Sequence, residues 1–126
     1  MLRDGPIPLF VHGMIEYVAA AALLAAPFVL SFDAGAATAV SLIAGVFVLV
    51  VASCSDGPTS LVDQIPVPVH FTLDWLLAIA LIASPFVAGF SDETEPTVFL
   101  LGLGVLGLLV TIGTRYRPRE PKPKRR

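Results

Sequence analysis

Cysteine is almost missing. Cys54 is the only one in 126 residues, so the chain closes no internal disulfide, carries no C-x-x-C redox pair and has no cysteine-based zinc site. Four-helix membrane thiol oxidoreductases are excluded on that ground, and Cys54, between Ser53 and Ser55, reads as a small packing residue. Charge is scarce as well, at 14% of residues, where a soluble domain carries about 25%. No glycine-rich phosphate loop is present, and no nucleophile stands in motif spacing to a base. These gaps leave no catalytic residue to name, and the chain is not expected to be an enzyme.

What fills the space is apolar. Hydrophobic residues make up 56% of the chain, which points to lipid as the solvent. The pattern occurs twice. Ile7-Pro8, His12, Glu16, Pro27 and Phe32 recur as Ile65-Pro66, His70, Asp74, Pro85 and Phe90, each 58 positions on. A register held without a gap over that length marks a duplicated unit. In the second half of each copy the match shifts by one, pairing Gly45 with Gly104 and Val46 with Val105.

Each copy holds two runs long enough to cross the hydrocarbon, which takes roughly 20 helical residues. Repeat 1 covers 1–54, with spans at about 9–30 and 37–53. Residues 55–68 form a linker punctuated by Asp56-Gly57-Pro58 and Pro66-Val67-Pro68. Repeat 2 covers 69–114, with spans at about 69–90 and 97–114. Pro8 suits the start of a helix. Pro27 and Pro85 fall in the last turn of their spans, where the missing N–H favours a kink or an early stop. Ala44-Gly45 offers a smooth surface for a neighbouring helix; Gly102, Gly104 and Gly107 are small enough to do the same, but none forms a strict G-x-x-x-G, and the preferred reading is that they only relax packing. Arg3 and the following apolar run resemble a signal peptide. Asp4, His12, Glu16 and the internal recurrence of the pattern argue that the segment is a retained span.

Charge orients the spans. Two spans per copy bring the chain back to the same side, so the start, the linker and residues 115–126 share a side. All eight basic residues lie there, and the opposite loops hold Asp33, Asp92, Glu93 and Glu95. The positive-inside rule makes the basic side cytoplasmic. The expected fold is an all-α membrane bundle of four helices: two parallel two-helix repeats related by a pseudo-two-fold axis along the membrane normal. The expected location is a prokaryotic plasma (inner) membrane, with both termini inside the cell. Arg115, Arg117, Arg119, Lys122, Lys124, Arg125 and Arg126 alternate with prolines in an extended tail. Attraction to anionic lipid headgroups, about 1 kcal/mol per basic residue, is its expected role, and nucleic acid is not an expected partner.

Four polar residues stand out within the spans. His12 and Glu16 lie one turn apart on one helix face, and His70 and Asp74 repeat the arrangement. If the two first helices of the repeats meet, all four groups meet. Ionisable groups in a membrane span are functional candidates by default. The preferred reading is a structural one, in which histidine and carboxylate fix helix packing near the headgroup level. A proton or cation relay, a divalent metal held by two His and two carboxylates, and a haem between His12 and His70 are the competing readings. No metal or cofactor is expected. Tyr17 and Trp75, and Phe28, Phe32, Phe86 and Phe90, are expected to form aromatic belts at the two interfaces.

At Ala26-Pro27-Phe28 and Ser84-Pro85-Phe86, each closing the first helix of a two-helix repeat, the chain resembles the SPW-repeat family of small integral membrane proteins. Phe replaces Trp twice and Ala replaces Ser once. The resemblance implies a fold and a membrane location, and it implies no activity. Together with the missing chemistry, it leads to an expected accessory or assembly subunit, partnered by another membrane protein or by its own copies. A small proton- or cation-coupled transporter and a cofactor-binding redox subunit are the alternatives.

Overall fold

The computed structural model describes residues 6–55 and 58–114. Arg3 and the basic tail, Arg115, Arg117, Arg119, Lys122, Lys124, Arg125 and Arg126, lie outside the described residues, as do Asp56 and Gly57. Four helices follow one another: α1 Leu9–Val29, α2 Gly35–Cys54, α3 Val67–Val87 and α4 Thr94–Gly113. At 1.5 Å per residue each is about 30 Å long, and all four are apolar enough to cross a membrane. No strand occurs among the described residues beyond two isolated bridges.

The helix ends carry the repeat. α1 and α3 begin and end 58 positions apart, while α2 and α4 begin and end 59 apart, matching the slip seen at Gly45 and Gly104. Pro8 and Pro66 cap α1 and α3 in extended geometry without a side-chain cap. The third span starts earlier than its hydropathy indicates, at Val67, because Pro68 fits the first turn, where no donor is needed. It ends at Val87, since Pro85 and the turn beyond it stop the helix.

α1 packs chiefly on α2, and α3 on α4; the two hairpins touch much less. The interior is built from small residues such as Ala20, Ala37 and Ala44, around Leu23, Leu81, Leu100 and Phe90, with Ala78 also buried. Large apolar side chains, among them Val18, Ile43, Val87 and Val98, point outward. That is the arrangement lipid favours, because lipid gives helices no hydrophobic reason to associate and close packing must do it. Gly45 and Gly104 mark a close approach in each hairpin: a Cβ on Gly45 would overlap the Leu24 side chain, and one on Gly104 would overlap Ile82. Gly102 and Gly107 face open space instead.

The phenylalanines divide, and the expected belt is corrected. Phe28 and Phe86 are 72% and 62% exposed, but Phe90 is 2% exposed and belongs to the core, with Phe32 packed against it. The chain turns sharply after α3 at Gly89, whose φ is +77°, and this swings Phe90 back under the bundle.

The hairpins are tied crosswise by backbone. The Ile7 N–H donates to the carbonyl of Gly113, ending α4, at 2.9 Å; the Ile65 N–H donates to that of Cys54, ending α2, at 2.7 Å. Each donor precedes the first helix of one repeat and caps the last helix of the other. These bonds satisfy carbonyls that a helix end leaves without partners. At the opposite end, the Glu93 carboxylate accepts from the backbone N–H groups of Asp33 and Ala34, at 2.6 and 3.0 Å.

Candidate functional site

His12 sits four residues past its cap, and its N–H makes the first helical bond to Pro8 O at 3.0 Å; His70 does the same with Pro66. The cap therefore fixes where each imidazole leaves its helix. One turn on, Glu16 and Asp74 share the inward face. The structure brings all four together. His12 Nε2 lies 3.1 Å from Glu16 Oε1 and 3.0 Å from Asp74 Oδ2. His70 Nε2 lies 2.9 Å from Glu16 Oε1 and 3.2 Å from Asp74 Oδ2. Each histidine thus meets the carboxylate of its own helix and that of the other repeat. The imidazoles stand edge to face, 5.6 Å between centroids.

Burial is nearly complete. The four residues are 3 to 8% exposed. Isolated charges there would cost several kcal/mol each, so the two carboxylates need positive charge beside them. The quartet joins α1 to α3, across the seam where the hairpins otherwise touch little.

A fifth residue belongs to the site, and the sequence reading missed it. Thr114 Oγ1 lies 2.7 Å from His12 Nδ1 and donates to Val110 O at 2.5 Å. Thr114 has no exposed surface. Its counterpart, 59 positions earlier, is Ser55, whose hydroxyl donates to Val51 O. The signal was a hydroxyl residue closing each repeat at the same place.

Two pockets meet at the quartet. One, of about 70 Å³, is lined by His12, Glu16 and Asp74 together with Leu77, Leu103 and Val110. The other, of about 10 Å³, lies under the loop between the repeats, among His12, Glu16, His70, Ser55 and Thr59. Tyr17 holds that loop down, donating its O–H to Thr59 O at 2.8 Å. Its hydroxyl therefore serves the loop, and the ring is half-buried. Trp75 stacks edge to face with Phe71. Pro27 and Pro85, the repeat-motif prolines, are buried at the far ends of α1 and α3, remote from the quartet.

Four apolar spans in two hairpins, with small and polar side chains inside and large apolar ones outside, define a small multi-pass membrane protein. The sequence model of the SPW repeat domain matches residues 10–115, so the chain belongs to the SPW repeat family. No curated protein and no solved structure matches it.

Proposed function

We propose that the protein is a non-enzymatic accessory or assembly subunit. In this reading it packs against another membrane protein or further copies of itself in a prokaryotic plasma membrane. Both termini lie in the cytoplasm, and the basic residues of 115–126 meet anionic headgroups. The observation that carries this reading is a groove of about 420 Å³ between α2 and α3, lined by Val40, Ile43, Phe47, Leu76 and Ala80. It lies where the hairpins separate, and it is apolar and open to the membrane. A helix side chain from a neighbour fits such a groove, while the chain's own buried ionisable groups are engaged with one another.

Photo-crosslinking in native membranes tests the proposal. A crosslinker at Phe47 or Leu76 is expected to give one reproducible protein adduct, and one at Val87, on the outward face, is not. Equal labelling from all three positions, or labelling of lipid alone, overturns it.

A second reading, a proton- or cation-coupled transporter, is favoured by the two pockets that reach His12 and Glu16 from different sides. Liposome flux tests it. Flux that disappears in Glu16→Gln, Asp74→Asn supports transport; flux equal to that of empty liposomes in the wild type removes it.

A further inference from the structure

Two histidine nitrogens and two carboxylate oxygens form a ring of alternating N and O atoms, with every edge between 2.9 and 3.2 Å. An imidazole nitrogen carries at most one hydrogen, directed along its own axis. Two nitrogens cannot supply four well-directed hydrogen bonds. Glu16 Oε1 makes the mismatch concrete. It is fully buried, has two ring nitrogens within 3.1 Å, and receives no properly directed hydrogen bond. His70 Nε2 is directed instead at the second oxygen of the same carboxylate, Glu16 Oε2, at 3.1 Å, so Oε1 stands in the ring without a hydrogen of its own.

The tautomer sharpens the point. Thr114 has one hydroxyl hydrogen, and it goes to Val110 O. Toward His12 the Thr114 oxygen therefore accepts, which places a hydrogen on Nδ1. In a neutral ring this leaves Nε2 with a lone pair facing the oxygens of Glu16 and Asp74. Lone pair against carboxylate is repulsive unless positive charge lies between them. The whole cluster has the same requirement. Two carboxylates and two neutral imidazoles sum to −2 in a space nearly closed to water. Two protons or one divalent cation makes it neutral.

The geometry points to a divalent cation. We propose that His12 Nε2, His70 Nε2 and one oxygen each of Glu16 and Asp74 form a four-coordinate site for a first-row transition metal of the zinc type. Bonds of about 2.0–2.1 Å place neighbouring donor atoms about 2.9 Å apart in a square and about 3.4 Å apart in a tetrahedron. The four N–O edges fall within that interval, as ordinary N–H···O bonds do, so burial and the charge of the quartet decide for the ion. All four donor groups lie within 4.8 Å of one another, and all are buried. Imidazole with carboxylate suits zinc and its neighbours. Thr114 is the positioning residue, fixing the tautomer and orientation of one ligand as outer-shell partners of metal-bound histidine do. The pocket of about 70 Å³ lined by His12, Glu16 and Asp74 leaves space beside the donor atoms. The ion would join the two repeats, with one His and one carboxylate from each. The site accounts for both histidines of the chain, so a histidine-dependent signal has one source.

The test uses full-length protein without a histidine tag, purified in mild detergent and stripped with a chelator. Equilibrium dialysis against zinc is expected to return one ion per chain. Cobalt(II) is expected to develop the visible bands of a four-coordinate site, and zinc to raise the thermal midpoint. Glu16→Gln with Asp74→Asn is expected to weaken zinc binding at least 100-fold. Thr114→Val is expected to keep one ion per chain but weaken it about 10- to 100-fold. Wild-type protein that is helical by circular dichroism, yet takes up no stoichiometric zinc and shows no cobalt bands, overturns the proposal and leaves the quartet to protons. Undiminished binding in a folded Glu16→Gln, Asp74→Asn variant overturns it equally. Should that variant not fold, the wild-type titration decides alone.

Discussion

Ser41 Oγ donates a 2.6 Å hydrogen bond to the carbonyl of Leu23, the carbonyl that Pro27, four residues on, leaves without its helical donor. In the second repeat Pro85 orphans the carbonyl of Leu81, and Ser84 Oγ fills the place at 2.8 Å. The serine of the Ser-Pro pair thus compensates the backbone for the proline beside it. The first repeat has Ala26 at that position and recruits Ser41 from α2. Leu100 stands where Ser41 would recur. The two repeats thus differ at two coupled positions, Ala26 with Ser41 in one and Ser84 with Leu100 in the other.

The first prediction follows from this pairing. Ser41→Ala removes the only hydroxyl described on that carbonyl, and Leu23 is fully buried. A buried acceptor left unpaired costs about 1–3 kcal/mol. Ala26→Ser in the Ser41→Ala background restores most of that loss, because it recreates the local arrangement of Ser84. Unfolding midpoints on titrating SDS into mild detergent measure both. Equal midpoints for the single and double variants would show that the two serines are not interchangeable.

The turns after α1 and α3 supply the second. In each, a residue of positive φ lets the following N–H reach back to the proline carbonyl: Phe32 N to Pro27 O at 3.0 Å, and Phe90 N to Pro85 O at 2.9 Å. The second repeat uses Gly89 at φ +77°, the first uses Ser31 at φ +53°. A side chain in this region costs about 1–2 kcal/mol. Ser31→Gly is therefore expected to stabilise by up to about 1 kcal/mol, and Gly89→Ala to destabilise by about 1–2 kcal/mol. A Cβ on Gly89 meets nothing within 4 Å, so the effect is conformational rather than steric. The same SDS titration reads both signs.

Much of this is legible in the sequence alone. The register of 58, slipping to 59 at Gly45 and Gly104, carries directly into the helix bounds. The i,i+4 spacing placed each His over its carboxylate. What periodicity does not encode is direction beyond a helix end. Phe90 reads as an interfacial aromatic like Phe86, and only the left-handed turn at Gly89 sends it inward. Ser41 and Thr114 stayed hidden for another reason. Each acts on a residue distant in sequence, Leu23 or His12, and a hydroxyl in an apolar run carries no mark of its partner.

The acidic turns give the third prediction. Asp33, Asp92, Glu93 and Glu95 look equivalent as charges, but Glu93 alone is seen to bridge the repeats, accepting from two N–H groups at the start of α2. A carboxylate there also complements the helix dipole. Glu93→Ala is expected to cost about 0.5–2 kcal/mol, the usual range for a lost N-terminal cap. Asp92→Ala, at an exposed position, is expected to stay within about 0.5 kcal/mol. Asp33→Ala should also be mild, because Asp33 contributes its backbone to the bridge and not its carboxylate. Matching losses across all four acids would indicate a general charge effect.

The quartet gives the fourth. His12, Glu16, His70 and Asp74 form one electrostatic unit, so their contributions cannot add. Removing a single member leaves buried charge uncompensated, at about 3–5 kcal/mol; His70→Leu alone is expected to fall there. Replacing all four by apolar residues of similar volume removes the desolvation cost with the attraction. In chelator-treated protein that quadruple variant is expected to lie within about 1 kcal/mol of wild type, or above it. The double-mutant cycle of His12→Leu with Asp74→Leu isolates the cross-repeat pair, and its interaction energy is expected at about 1–3 kcal/mol. Simple additivity would carry a structural message of its own. It would mean that each group is solvated separately, so that water reaches the seam between α1 and α3 and the four groups do not form a closed ring.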